Sequence, residues 1–153
     1  LFLYKKEFSH AAIILALQNV EKLFNVFANA NHYLKDDGKF LLVLNHPYFR
    51  IPKYSSWEID KVKRLQYRRV DRYYSNIKIP IDMTPGSEKN KKFTYSFHYS
   101  LEYISDLLKK NGFVIDKIEE WVSEKESKGK AAQMENFARS EFPVFMAILA
   151  NKL

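Results

Sequence analysis

Two short apolar runs decide the fold of this chain: residues 11–17, AAIILAL, and residues 40–44, FLLVL. Each run is continuously apolar and has the length of one strand. Neither shows the alternation of apolar and polar residues that is typical of a strand in a sheet with one solvent-exposed face. We therefore predict two strands, each buried on both faces of a mostly parallel sheet.

The residues between the two runs predict a helix. Asn19 is placed to cap its start, with Glu21 in the first turn, where a carboxylate is favourable. Apolar residues recur at helical spacing through residues 20–34 and predict one buried stripe, and residues 36–38 (DDG) end the helix by turn chemistry. A strand, a helix and a second strand in this order form the unit that joins parallel neighbours by a right-handed crossover.

A long stretch without clean periodicity, residues 45–92, follows the second run. Its length, directly after a parallel strand, is typical of a functional insertion. Within it, we predict that residues 57–74 are partly helical.

Regular structure returns with Ser100 as the cap of a helix that ends at Asn111-Gly112. Residues 113–121 predict a strand near the edge of the sheet, residues 131–138 a short helix and residues 142–150 a buried strand. The predicted fold class is α/β: a mostly parallel, Rossmann-like sheet with a terminal antiparallel strand, flanked by helices.

The composition limits the classes of function. The chain has no cysteine, which excludes disulfides and thiolate chemistry and fits the reducing cytoplasm, where we place the protein. Its four histidines lack the spacing of metal ligands, so no metal site is predicted. No apolar run approaches the roughly 20 residues of a membrane helix. The formal net charge of +7 favours contact with phosphate or acidic surfaces, which leaves nucleic-acid binding open.

Several motifs, taken in order along the chain, resemble the second half of a class I S-adenosylmethionine-dependent methyltransferase of the type 11-like group. Residues 16–19 (ALQN) resemble the end of that domain's fourth strand. Residues 33–40 (YLKDDGKF) resemble the turn into its fifth strand, with Asp37 where the family usually has glycine. Residues 45–50 (NHPYFR) resemble a segment of one methyltransferase subgroup. The resemblance to this subgroup continues at residues 66–73, 96–98, 119–121, 129–131 and 141–143.

The resemblance implies only part of a domain. The sequence lacks the glycine-rich loop after the family's first strand and the acidic residue that ends its second. We expect both to lie upstream of Leu1, so that residues 1–153 form the C-terminal part of one domain, with residues 45–98 as an insertion on the substrate side. The chain alone is then expected to bind S-adenosylmethionine poorly and to be inactive. Its strand at residues 11–17 would be an exposed apolar edge, which predicts self-association.

The resemblance also implies a site at the carboxyl ends of the first two strands. Leu17 and Gln18 correspond to a segment near the methionine part of the cofactor, and they are our cofactor-binding candidates. Asn19 could serve there or only as a helix cap. His46 directly follows the second strand, where a neutral imidazole could take a proton from the methyl acceptor, so it is our candidate catalytic base. The alternative is a strand-end histidine bonded to the backbone.

Arginines and tyrosines cluster in residues 48–74. Guanidinium groups beside aromatic rings can bind anions and stack on planar groups, which would make this segment a binding surface. The alternative is that the arginines form a solvated basic face and the aromatic side chains pack beneath it. Packing is the favoured explanation for Trp57. The predicted substrate-binding residues are Arg50, Tyr67, Arg68, Arg69 and His98.

Two classes of function follow. In the first, the chain serves methyl transfer to a small-molecule or macromolecular acceptor that the sequence does not identify. In the second, it is a non-catalytic fragment or module that binds RNA or another anion through residues 48–74.

Overall fold

The computed structural model describes residues 6–86 and 91–153 of the chain, which form strands, helices and two hairpins. In chain order the elements are β1 (Phe8–Ile14), α1 (Leu23–Tyr33), β2 (Leu34–Asn45), β3 (Ser55–Asp60), β4 (Leu65–Val70), β5 (Ile77–Asp82), β6 (Phe93–His98), α2 (Leu101–Lys110), β7 (Phe113–Trp121), α3 (Ala132–Glu141) and β8 (Phe145–Lys152).

A four-stranded sheet in the order β1-β2-β8-β7 forms the body of the chain. β1 and β2 run parallel, whereas β8 is antiparallel to both β2 and β7. The mixed α/β class and the terminal antiparallel strand are confirmed. The mostly parallel sheet is present only in part, because among the described strands only β1 and β2 pair in parallel.

One face of this sheet and the helices α1 and α2 form the hydrophobic core. Leu42 of β2 and Ile148 of β8 lie opposite each other, and both are fully buried. Phe27 of α1 meets the ring of Phe40 edge to face at 5.7 Å, and Phe113 approaches the same ring at 5.4 Å. Full burial of each such side chain stabilises the fold by roughly 1.5–3 kcal/mol.

The first strand is less buried than we predicted. Ile14 is 61% exposed and Leu15 is 40% exposed, because β1 lies at the edge of the sheet and, among the described strands, pairs only with β2. The strand ends at Ile14, Leu15 takes a positive φ of 49°, and residues Leu17–Asn19 form a 3-10 turn. The prediction of a strand buried on both faces over residues 11–17 is therefore wrong for this chain.

The predicted start of α1 is also wrong. The helix begins at Leu23, so Asn19 does not cap it and Glu21 lies before its first turn. Two contacts on either side of Asn19 keep the chain out of the helix. Leu17 is buried in the core, and the Tyr99 hydroxyl donates to the carbonyl oxygens of Val20 (3.2 Å) and Glu21 (2.7 Å).

The long stretch after β2 contains two hairpins, β3–β4 and β5–β6. The partly helical prediction for residues 57–74 is wrong, because Trp57 pairs with Arg68 across an antiparallel ladder. Asp60 builds the turn of the first hairpin by accepting the backbone N–H groups of Val62 and Lys63 at 3.0 and 2.9 Å.

The second half of the chain follows the prediction closely. The Ser100 side chain accepts a hydrogen bond from the Tyr103 amide at 3.2 Å and caps α2. Gly112 ends that helix with a φ of 75°, and β7 lies at the edge of the sheet. No helix of the described residues is long and apolar enough to cross a membrane.

The two edges of the sheet differ in chemistry. β7 carries charged residues along its length, among them Lys117 and Glu119, which form an exposed ion pair. Charges of this kind discourage pairing with another chain. The β1 edge ends instead in the exposed apolar side chains of Ile14 and Leu15. An apolar, unpaired edge favours association.

We predict that the purified chain self-associates and that Ile14→Lys shifts it toward monomer, because a lysine at an edge strand opposes strand addition. Light scattering after size-exclusion chromatography measures this shift. Val62→Lys, at the 95% exposed tip of the first hairpin, is the matched control and is expected to change nothing. A monodisperse wild-type monomer would contradict the prediction.

Candidate functional site

The parallel pairing of β1 and β2 brings their carboxyl ends to the same edge of the sheet, where ligands of open α/β sheets bind. A small cavity of about 30 Å³ lies at this place. Four of the predicted site residues line it: Leu17, Gln18, Arg50 and His98. We call this the strand-end cavity.

Gln18 presents an unsatisfied acceptor in this region. Its side-chain N–H donates to the Leu15 carbonyl oxygen at 2.6 Å, which fixes the amide. Its Oε1 atom is buried and has no hydrogen-bond partner among the described residues. A buried oxygen without a donor costs roughly 1–3 kcal/mol, so a ligand that supplies an N–H or O–H group would recover that energy.

His98 is held in one tautomer. Its Nε2 lies 2.6 Å from the Tyr73 carbonyl oxygen, and because a carbonyl can only accept, Nε2 carries the hydrogen. In the neutral ring Nδ1 is then the accepting nitrogen. Burial lowers the pKa of His98 from its ordinary value of 6.5, and the Tyr73 carbonyl offsets this only in part. The ring is therefore neutral at pH 7.

Two tyrosines brace this histidine and the chain around it. Tyr73 stacks on Tyr48 with ring centroids 4.0 Å apart, and its hydroxyl accepts the Leu101 amide at 3.1 Å. Tyr99 stacks on Tyr103 at 5.3 Å. Burial raises the pKa of both Tyr73 and Tyr99 to about 12, so both stay protonated as structural hydrogen-bonding groups.

Arg50 is the cationic residue of the strand-end cavity. Its guanidinium lies over the Phe145 ring, 4.6 Å from the centroid, and the residue is exposed. No described carboxylate pairs with it. It can therefore bind an anionic group of a ligand while the aromatic ring holds its position.

His46 lies at the end of β2 and is fully buried. Its Nε2 is 2.6 Å from Glu120 Oε1, and its Nδ1 accepts the backbone amides of Tyr48 (3.2 Å) and Phe49 (3.4 Å). Both ring nitrogens thus have partners, and His46 does not line the strand-end cavity. The catalytic-base role stays a prediction, while these contacts support the backbone-bonded alternative.

The structure places Tyr67, Arg68 and Arg69 on the β3–β4 hairpin, away from the strand-end cavity. Arg68 donates to the Phe49 carbonyl oxygen at 2.6 Å and to Ser55 Oγ at 2.9 Å, and it lies over the Trp57 ring. Burial and the nearby Arg50 lower the pKa of Arg68. Arg69 pairs with Asp71 at 2.8 Å. In this structure both arginines are engaged within the hairpin region, and their substrate role stays a prediction.

Several residues of the cavity wall were not predicted from the sequence. They are Leu44, Asn45, Pro47, Pro52, Ser96, Phe97, Tyr99 and Ile104. Ser96 could have been found only by recognising the alternation of β6, because Ser96 and His98 are buried whereas Tyr95, on the opposite face, is exposed.

We predict a pH-dependent loss of stability that originates at His98. Because its folded pKa lies below the unfolded value, the unfolded chain takes up a proton first as the pH falls. Stability is therefore complete above the unfolded pKa and declines from there down to the folded pKa, by at most about 1.4 kcal/mol per pH unit. Denaturant unfolding at pH 7.5 to 5.0 measures this decline.

His98→Gln keeps an N–H donor for Tyr73 but does not titrate, so its stability should decline less over this range. His32→Gln, at an exposed helical position, is the control and should decline as the wild type does. Equal slopes in all three proteins would contradict the assignment.

Comparison with known proteins gives a result at the level of structure. The sequence matches no protein-family profile, and no curated protein is similar to it. A protein from Listeria monocytogenes, described as a S-adenosylmethionine-dependent methyltransferase, superposes with a TM-score of 0.74 at 20% identity, over 100% of this chain and 65% of its own.

Two further structures agree. A S-adenosylmethionine-dependent methyltransferase from Mesorhizobium loti gives a TM-score of 0.70 at 22% identity, over 99% of this chain and 65% of its own. The glycopeptide N-methyltransferase MtfA, bound to S-adenosylmethionine, gives 0.55 at 12% identity, over 95% of this chain and 58% of its own. The chain spans less than two thirds of these proteins. It has the fold of part of a S-adenosylmethionine-dependent methyltransferase, and its coverage agrees with the predicted C-terminal part.

Proposed function

We propose that this chain supplies the acceptor side of a S-adenosylmethionine-dependent methyl transfer. The observation that carries the proposal is the strand-end cavity, at the carboxyl ends of β1 and β2, with the unpartnered Gln18 Oε1 beside it. The fold similarity over 100% of the chain supports the same conclusion.

The residues present fit one end of the cofactor. Gln18 Oε1 is a buried acceptor without a donor, and the ammonium group of the methionine part can donate to it. Leu17, which is 2% exposed, gives this end an apolar wall. When bound, the cofactor supplies a methyl group on a positively charged sulfur. Its adenosine part requires the glycine-rich loop and acidic residue that this sequence lacks.

The chain's own residues would then align the acceptor. Methyl transfer is an in-line displacement, so the protein contributes mainly orientation and exclusion of water. His98 offers an accepting Nδ1 in its neutral form, which suits an acceptor with an O–H or N–H group. Arg50, braced on Phe145, suits an acceptor with an anionic substituent. Both a small molecule and a macromolecule can carry these groups.

We propose that the cofactor-binding part adds to the sheet at the outer edge of β1, where no described strand pairs with it. A parallel strand added there would place its own carboxyl end beside Leu17 and Gln18. This addition would also cover Ile14 and Leu15, whose exposure is otherwise unfavourable. On this proposal the 153-residue chain alone binds the cofactor weakly and is inactive.

We predict that Gln18→Leu weakens S-adenosylmethionine binding about tenfold in a longer chain that includes the upstream coding sequence, because the buried acceptor is lost (~1.4 kcal/mol). Isothermal titration calorimetry measures the dissociation constants. Gln133→Leu, at an exposed position of α3, is the matched control and should leave them unchanged.

The same titration of the 153-residue chain tests the partial-domain hypothesis, and we expect a dissociation constant weaker than about 1 mM. Micromolar binding by this chain would contradict that hypothesis. An upstream coding sequence without a strand, glycine-rich loop and helix would remove the basis of the methyl-transfer proposal.

We predict that His46→Ala lowers turnover in the longer chain by at least about 10², with loss of one ionisation from the pH profile, if the imidazole accepts the substrate proton. The measurement is turnover against pH. Glu120→Gln keeps a hydrogen-bonding partner for His46 and separates the two effects. A lower rate with an unchanged pH profile would reject the base role and assign His46 to holding the Tyr48 and Phe49 amides.

A further inference from the structure

A second concave surface lies between the β3–β4 hairpin and α3, and it has no part in the proposed methyl transfer. It is a groove of about 730 Å³, within the range of small-molecule sites. None of its lining residues lines the strand-end cavity. They are Ile59, Lys61, Arg64, Leu65, Lys130, Ala131, Gln133, Met134 and Phe137, and we call this surface the hairpin groove.

The floor of the hairpin groove is apolar and unusually exposed. Phe137 of α3 is 60% exposed, Ile59 of β3 48% and Leu65 of β4 46%, although all three line the same groove. Exposed apolar residues scattered singly are ordinary, whereas several that converge in one concavity mark a binding surface.

The charged residues that the structure places at the groove are all cationic. Lys61 and Arg64 stand on either side of the hairpin turn, and Lys130 precedes α3 on the opposite side. Within residues 6–86 and 91–153, no aspartate or glutamate lines the groove, and none forms an ion pair with these three cations. Asp60, the acidic residue before the hairpin turn, accepts the amides of Val62 and Lys63 with one of its two carboxylate oxygens, Oδ1.

Contacts outside the groove hold both of its walls in place. Trp57 packs edge to face on Phe142 at 5.7 Å, and Arg68 ties β4 to the Phe49 carbonyl oxygen. On the other side, Arg139 of α3 bonds to Ser127 Oγ at 2.5 Å and pairs with Glu135 at 3.7 Å. A groove held in this way is largely preformed, which lowers the entropic cost of binding.

We propose that the hairpin groove binds a free anionic amphiphile, a small molecule with an aliphatic or flat apolar body and one carboxylate or phosphate head. The apolar floor accounts for the body, and the cations without partners account for the head. A concave groove suits a separate molecule better than a bilayer, because the protruding tip of the hairpin offers only one apolar residue, Val62. Phe137 is the one aromatic residue among the described residues that line the groove, whereas single-stranded nucleic acid stacks on a series of aromatic rings.

Decanoate is a suitable probe, with decanol as its neutral analogue and decyltrimethylammonium as its cationic one. We expect saturable decanoate binding to the chain, with amide shifts in nuclear magnetic resonance spectra confined to the β3–β4 turn and α3. Decanol should bind at least fivefold more weakly, and the cationic analogue should give no saturable binding.

Two variants test the cationic and the apolar residues of the groove separately. Arg64→Gln should weaken decanoate binding about fivefold to tenfold and leave decanol unaffected, whereas Phe137→Ser should weaken both. Arg72→Gln, an exposed arginine over the Tyr54 ring outside the groove, is the matched control. Folding of each variant is verified by its amide spectrum, and Arg64→Gln lies in an exposed turn, where the fold does not depend on it.

The proposal is overturned by any of three results. The first is decanol binding as tight as that of decanoate, and the second is a set of amide shifts outside the groove. The third is binding of anionic vesicles through Val62 without binding of monomeric decanoate. The experiment uses no S-adenosylmethionine, so its outcome is independent of the methyl-transfer proposal.

Discussion

The pairing of β2 on both of its edges is the constraint on which the rest of the structure depends. Leu42 pairs with Ile13 of β1 on one side and with Ile148 of β8 on the other. Because successive side chains of a strand point to opposite faces, a slip of one residue would move the core side chains of β2 to the opposite face of the sheet, away from the hydrophobic core. The fully buried Leu42 and Ile148 therefore fix the register. That register places the end of β2 next to the turn containing Gln18, and the strand-end cavity is its consequence.

A buried lysine secures the opposite end of the same strand. Lys152, near the end of β8, donates to the carbonyl oxygens of Asn31 (2.7 Å) and Leu34 (2.8 Å), where α1 passes into β2. A cation at these carbonyls satisfies groups that the end of a helix leaves unpaired. Removing it would leave two buried acceptors, so this contact opposes any change in the alignment of β8 with α1. The strand-end cavity is thus built on a frame that is fixed at both ends.

The sequence predicted those parts of the fold in which local chemistry and tertiary packing agree. Ser100 caps α2 and Gly112 ends it, because a hydroxyl acceptor and a residue that tolerates positive φ have few alternative uses. Residues 57–74 were harder, since their aromatic and charged residues suit a helix or a hairpin, and only cross-strand pairs such as Trp57 with Arg68 decide between them. Asn19 failed as a cap because the burial of Leu17, a tertiary effect, holds the chain in a 3-10 turn.

The same division explains which site residues could be predicted. The resemblance to the methyltransferase family implied a site at Leu17 and Gln18, and both residues line the strand-end cavity, although the strand before them ends at Ile14. The role of an arginine is harder to predict, because a guanidinium can bind a ligand or a neighbouring carbonyl oxygen by the same kind of hydrogen bond. Arg68 is turned inward to the Phe49 carbonyl oxygen, whereas Arg50 rests on Phe145 with its donors available. The inward arginine still bears on binding, because it anchors the hairpin that carries Arg64 and so fixes one wall of the hairpin groove. A residue that fails as a ligand contact can therefore remain necessary to a second surface, through the geometry that it imposes on its neighbours.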